Sequence, residues 1–226
     1  SCTLLNPEGA GVCGACGTAR EPAGAGGGAG GGPSKAELVS MPDDNSCLFH
    51  GVAYLLDPGS SPGGLRQIVA QEVRSDAQWD EATLGKPRQE YIDYITDPKR
   101  WGGQVELAIF AKAFRAEIAV VEVQSGRCDV FGEGSGYGRR VYLLHSGIHF
   151  DAISFGPGVR REVPAAETAA ADAAAKRLAA DRKAAGGFVD QATMRLRCKI
   201  CGFIAEGDYE ARAHAGGMGH KEFAPA

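Results

Sequence analysis

The chain has 226 residues, a formal net charge of −4 and 44% hydrophobic content, enough for one enzyme-sized domain with small appendages. It lacks the basic surplus of a phosphate-backbone binder, and no apolar run reaches the length of a membrane span. It opens without a secretory signal and starts at Ser1 rather than Met, as a fragment or processed chain does.

Residues 1–20 hold three cysteines and few core-forming side chains, and 21–34 form a Gly-rich linker without packing capacity. Structure proper begins near Lys35. Cys47–Leu56 reads as a helix burying Leu48, Val52, Leu55 and Leu56, stopped by Asp57-Pro58-Gly59. Leu65, Ile68, Val69 and Val73 predict a second helix, and Tyr91 and Ile95 a shorter third over 88–95. After Trp101-Gly102-Gly103 comes a helix over 104–114, apolar on most faces and so buried.

Residues 117–123 read as a β-branched core strand, and 140–144 and 148–154 as two more joined by a turn at Ser146-Gly147. The Gly-rich stretch 132–138 lacks the context and the Gly-Lys-Ser/Thr ending of a phosphate loop. Helices first and strands later predict an α/β (α+β) domain. From Pro164 to Ala185 the Ala-rich sequence predicts a helix acting as a spacer arm, ended by Gly186-Gly187.

Of the seven cysteines, most fall into metal-type pairs, and Cys47 stands alone at the start of a helix. Thiolate ligands and a thiol nucleophile call for a reducing compartment. A helix N-terminus favours a thiolate through its unpaired N–H groups, and N–H groups of the 44–47 turn can serve an oxyanion. His149 and Asp151 lie two apart on a strand, on one face, so Asp151 can orient His149 toward the sulfur. His50 and His145 compete for the role of base but read as structural. Cys47 with His149 is therefore a candidate nucleophile–base pair.

Four motifs follow in order: Asp44-Asn45-Ser46-Cys47-Leu48-Phe49, Trp101-Gly102-Gly103-x-x-Glu106-Leu107, Phe131-Gly132-Glu133-x-x-Gly136-Tyr137 and Gly147-Ile148-His149-Phe150-Asp151. Together they resemble the ovarian-tumour (OTU) family of cysteine deubiquitinases, and most closely its subgroup with a C-terminal zinc finger. The resemblance implies a papain-like OTU domain over 35–157, with a mixed central sheet flanked by helices. It makes Cys47 the nucleophile, His149 the general base, Asp44 a support of the cysteine loop and Asp151 the residue orienting His149. Residues 132–140 correspond to a mobile substrate loop, so that Gly132, Glu133 and Tyr137 would contact substrate, and Ile148 corresponds to a residue lining the channel for the ubiquitin tail. The implied reaction is cleavage after the terminal Gly-Gly of ubiquitin or polyubiquitin. The implied setting is protein quality control and the unfolded protein response, in the cytoplasm and also the nucleus. An AAA segregase is the further partner, although no UBX-like docking domain is present. A catalytically weak ubiquitin-binding adaptor is the competing reading.

Cys198-x-x-Cys201 and His214-x5-His220, twelve residues apart, match a ββα zinc finger over 188–226. In such a unit a hairpin supplies the first two ligands and a helix the last two. Phe203, Ala211 and Ala213 are its expected core. Acidic Glu206, Asp208 and Glu210 on its helix argue against nucleic acid as a partner. Cys2, Cys13 and Cys16 resemble a Ran-binding-protein type zinc finger with three of its four ligands, an incomplete site. Residues 158–187 are the expected spacer, zinc is the expected cofactor with a structural role, and catalysis needs none.

Overall fold

In the computed structural model, residues 32–156, 160–220 and 222–226 are described. The expectations for residues 1–20, including Cys2, Cys13 and Cys16, lie outside them, as does most of the predicted linker. All described residues fall within one unit, Gly32–Ala226.

The chain alternates small helices with a sheet. Strand β1 (Ala36–Val39) leads through the cysteine loop into α1 (Cys47–Leu56), followed by α2 (Pro62–Ser75), α3 (Glu81–Leu84), α4 (Arg88–Thr96) and α5 (Gln104–Phe114). Strands β2 (Glu117–Glu122), β3 (Cys128–Phe131), β4 (Arg139–His145), β5 (Phe150–Phe155) and β6 (Val163–Pro164) complete the sheet, and α6 (Thr168–Ala184) closes this part of the chain. The sheet order is β1-β5-β4-β2-β3, with β6 also paired to β4. Only the β2–β4 pair is parallel. The expected mixed sheet flanked by helices is thus what the sequence forms.

Period-two alternation sorts the strands onto two cores. Ile118, Val120, Val141, Leu143 and Ala152 face α1, α2, α4 and α5. Ala119, Val121, Tyr142, Leu144 and Ile153 face the other way, onto Ala171, Ala174, Ala175 and Ala179 of α6. The helix predicted at 164–185 is therefore no spacer arm but the third layer of the fold. Its alanines recur at helical spacing and let the backbone lie close against the sheet. Asp172 pins it there, accepting from Tyr142 Oη at 2.7 Å and from Arg140 at 3.1 and 3.2 Å. Arg140 also pairs with Glu117 at 2.8 Å.

Local signals explain the helix starts nearest the site. Ser61 caps α2 by accepting from Gly64 N–H at 3.1 Å, with Pro62 next to it. Glu106 reaches back from α5 to the Gly103 N–H at 2.6 Å and also accepts from Tyr91 Oη. This carboxyl is buried, and desolvation raises its pKa despite those donors.

Four strands were not foreseen: β1, β3, which takes up Cys128 rather than leaving it in a turn, β6, and the strand Phe223–Pro225. The C-terminal unit has β7 (Arg195–Cys198), β8 (Ile204–Glu206), α7 (Gly207–Met218) and β9 (Phe223–Pro225), in the sheet order β8-β7-β9. Helix α7 ends at Gly219, which adopts the left-handed conformation (φ 71°). His220 therefore follows the helix instead of lying on it, because a five-residue gap from His214 outruns the last turn. Ala205 and Ala211 form the small core here. Phe203 and Ala213 are exposed.

Candidate active site

Cys47 is the first residue of α1, as the sequence predicts. Helix α1 lacks a side-chain cap of its own; its entry is shaped instead by the preceding loop. Asp44 Oδ1 accepts the Ser46 N–H at 2.7 Å, and Asp44 Oδ2 lies 3.0 Å from His50 Nε2. His50, read from the sequence only as a structural residue, is the partner that holds this carboxylate. Burial pushes the Asp44 pKa up, but the His50 and Ser46 hydrogen bonds, aided by the charges of His50 and Arg66, bring it below its usual value.

Arg66, projecting from α2, is the brace that sequence reasoning missed. Its guanidinium is buried and donates to Asn45 O (3.1 Å), Ser46 Oγ (3.1 Å), Ile95 O (2.9 Å) and Arg100 O (2.8 Å). It also sits 4.0 Å over the Phe49 ring. A lone arginine in a helical apolar pattern carries no signal of such a role, since its acceptors come from distant segments.

The Trp101-Gly102-Gly103 motif closes the same loop. Trp101 Nε1 donates to Asn45 Oδ1 at 2.7 Å, although the ring is half exposed. A Cβ at Gly102 would stand 2.7 Å from Leu48 Cδ2 and 3.0 Å from the Phe49 ring. Glycine is needed there because α1 approaches so closely. The motif therefore positions the cysteine loop and α1 as well as opening α5.

His149 precedes β5, and Asp151 lies on it. His149 Nε2 is 3.1 Å from Asp151 Oδ1, which also accepts the Met41 N–H at 2.9 Å. The other ring nitrogen, Nδ1, stays free of Asp151 and lies 3.9 Å from Asp43. Among the described residues no hydrogen bond joins His149 to the sulfur in this resting arrangement. The Cys47 thiol has its pKa raised, first by desolvation and also by the charges of Asp44 and Asp151; the Phe150 and Leu48 N–H groups only partly offset this. The helix start alone does not offset the burial of this thiol. Cys47 N–H makes one long bond, 3.4 Å to Asp44 O, whereas Ser46 N–H is committed to Asp44. The Cys47 N–H is thus the weakly engaged donor beside the sulfur, suited to an oxyanion.

Cys47 opens onto a cleft of about 240 Å³. Its walls include Trp101, Gly102, Leu107, Phe131, Ile148 and Phe150. Gly132, Glu133 and Tyr137 are not among its walls; they lie just beyond β3, where the Tyr137 ring packs on Gly132. Phe131 is the residue of that motif that reaches the cleft. His145, Glu122 and Gln191 also line it. His145 Nδ1 lies 2.9 Å from Glu122 and its ring stacks on Phe150 with centroids 4.3 Å apart.

In the C-terminal unit the ligand atoms of Cys198, Cys201, His214 and His220 all lie within 4.8 Å of one another. Two sulfurs and two imidazole nitrogens at that spacing suit a tetrahedral metal ion. His220 Nδ1 is buried without a hydrogen-bond partner, and Phe203 stacks on His214 at 4.6 Å. Burial raises the Cys198 pKa, but N–H groups of Cys201 and Ile200 outweigh it and lower the net value. The cluster can hold a metal.

A cysteine at a helix start that lines a cleft, with a histidine–carboxylate pair flanking the Phe150 whose N–H reaches the thiol, fits a cysteine-type hydrolase. The chain belongs to the OTU family: residues 42–143 match the OTU-like cysteine protease family. It is 34% identical over 200 residues to the ovarian tumor domain-containing deubiquitinating enzyme 2 of Arabidopsis thaliana, covering 81% of this chain and 94% of that protein. It is 37% identical over 199 residues to ubiquitin thioesterase OTU1 of Homo sapiens, covering 81% of this chain but 55% of that one. For the Gallus gallus ubiquitin thioesterase OTU1, the identity is 37%, over 81% of this chain and 64% of that protein. A solved OTU domain in complex with ubiquitin superimposes with a TM-score of 0.64 at 29% identity, over 68% of this chain and 90% of that one. Among the described residues, no helix is long and apolar enough to cross a membrane.

Proposed function

We propose that this chain hydrolyses isopeptide, amide or thioester bonds at the C-terminal glycine of ubiquitin. The observation that carries the reading is the Asp151–His149 pair on either side of Phe150, whose N–H reaches the thiol of Cys47, a residue of the cleft wall. His149 Nδ1 takes the thiol proton as sulfur attacks the carbonyl carbon, and Asp151 steadies the imidazolium through Nε2. The tetrahedral oxyanion is met by the Cys47 N–H. On collapse, His149 returns the proton to the leaving amine and a thioester to Cys47 remains. Water, activated by the same histidine, then hydrolyses the thioester and frees the thiol.

The cleft walls suit a Gly-Gly tail, because residues without side chains pass where bulkier ones are excluded. Ile148 borders that tail, and Gly132, Glu133 and Tyr137 form the loop that meets the body of ubiquitin. Asp44 keeps the cysteine loop in register. Zn2+ at Cys198, Cys201, His214 and His220 is structural, and its binding supplies folding energy to the finger. The resemblance further supports a place in cytoplasmic and nuclear quality control beside an AAA segregase. The curated relatives named as OTU1 are longer than this chain, so that setting belongs to the proposal.

The test is a ubiquitin bearing a C-terminal electrophile. It is expected to form a covalent adduct that Cys47→Ala abolishes, and the same variant should lose cleavage of a ubiquitin C-terminal amide. Cleavage that survives in Cys47→Ala, or a wild-type chain inert to the electrophile, overturns the reading.

A further inference from the structure

Between α6 and the C-terminal unit, residues 188–194 cross the outside of the turn that delivers His149. Val189 N–H donates to Ser146 O at 2.8 Å, and the Gln191 side-chain amide donates to Gly147 O. Gly147 has φ +99°, and a Cβ there would run into the Val189 carbonyl. The close approach and the backbone conformation both demand glycine. On the inner side, Ser146 N–H donates to His149 O at 3.0 Å. The turn is held from within by its own closing bond and from without by this segment.

The same segment is tied to the finger. The Gln191 carbonyl accepts the Asp208 N–H at 3.0 Å and the Met194 carbonyl accepts the Gly207 N–H at 2.7 Å. Those are the first two N–H groups of α7, the helix that carries His214. Gly207, at φ +77°, again has no room for a Cβ beside Ala192 O. Gln191 therefore touches both partners, with its side chain on the catalytic turn and its carbonyl on the finger helix. It also borders the cleft with Ile148.

We propose that Gln191 is a positioning residue for His149, through which the finger holds the catalytic turn; this rests on the reading of Cys47 and His149 as nucleophile and base. A glycine at positive φ leaves the peptide plane following it easy to rotate. The Gln191 amide fixes that plane by engaging its carbonyl. Once released, the peptide between Gly147 and Ile148 turns, shifting a cleft wall and the histidine next to it. Displacements on the order of 1 Å at such a group cost up to about 100-fold in rate.

Gln191→Met keeps the bulk and removes the donor; Gln191→Glu places a carboxylate against Gly147 O, which regains a donor only when protonated. On a ubiquitin C-terminal amide, Gln191→Met is expected to lower kcat about 10-fold with KM within about twofold. The activity of Gln191→Glu relative to Gln191→Met should rise as the pH falls. Site-resolved alkylation of Cys47 by iodoacetamide is the second readout and needs no ubiquitin. Its pH profile should shift in Gln191→Met, shift alike when the wild-type chain is stripped by a chelator, and shift no further when both are combined.

Unchanged kcat and alkylation in both variants overturns the proposal, as does a rise in KM alone, which would make Gln191 a substrate contact. Additive effects of chelation and Gln191→Met overturn the link through the finger. A wild-type chain that never cleaves the ubiquitin amide refutes the proposed function, and the alkylation profiles then decide Gln191 separately.

Discussion

Asp151 Oδ1 lies 3.1 Å from His149 Nε2, and it is the same oxygen that accepts the Met41 backbone N–H at 2.9 Å. One carboxylate thereby engages Nε2 of the His149 ring and ties β5 to the segment that enters the cysteine loop. The orientation of the His149 ring and the approach to the Cys47 loop are set by one group.

Replacing that group separates its two contributions. Asp151→Asn keeps an oxygen for both donors and loses the charge; Asp151→Ala loses both. Expected values of kcat on a ubiquitin amide are about 10-fold lower for Asp151→Asn and about 100-fold or more lower for Asp151→Ala. Equal losses in the two variants would show that charge alone matters.

Asp44 makes the loop sensitive to acid. Its pKa is held below the ordinary 3.8, so the ionised form is favoured in the folded state. The associated stability is fully present above that ordinary value and is lost as pH falls through the lower, folded value. The group is half exposed, so the effect is small. Thermal unfolding followed from pH 6 to about pH 2 should fall more steeply for the wild type than for Asp44→Asn, the curves converging at the acid end.

Arg66 offers the largest stability effect. Arg66→Met would leave the carbonyls of Ile95, Asn45 and Arg100 and the Ser46 hydroxyl without their donor. Buried acceptors left in this way cost roughly 1–3 kcal/mol each when fully desolvated. A loss of about 3 kcal/mol or more is expected in urea unfolding. Arg66→Lys should recover only part of it, since one ammonium cannot span acceptors so far apart.

Metal content tests the C-terminal cluster directly. The purified chain should carry zinc, measured by atomic emission, and Cys198→Ser or His220→Ala should release it. Release should also remove amide protection from β7, β8 and α7, because metal binding and folding are one event in a unit of this size. Retention of that protection without metal would count against a structural role.

Much of this site was legible along the chain because its chemistry sits in short motifs. Cys47 heads an apolar helix, His149 and Asp151 stand two apart, and the four C-terminal ligands keep a recognisable spacing; each is a local pattern with a local physical meaning. Alternation and helical periodicity likewise placed α1, α5 and β2 within a residue or two and found the apolar face of α2. The misses have a common cause. Whether an alanine-rich helix stands free or packs depends on whether a sheet face awaits it, and α6 found the second face of this one. His50 was set aside from the sulfur, yet the partner it was turned toward, Asp44, emerges only when the loop folds back over α1.

What the sequence by itself determined about this protein is the inventory: the thiol, the imidazole, the carboxylates and the C-terminal cysteine–histidine set, with the elements that carry most of them. What only the tertiary structure decided is how they are held. Arg66 gathers acceptors from three separate segments, Met41 steadies a carboxylate 110 residues away, and Gln191 reaches from beside α7 to the turn that precedes His149. Contacts between distant segments leave no periodic trace in either one, because each side chain satisfies its hydrogen bonds only after the backbone has brought the other within about 3 Å.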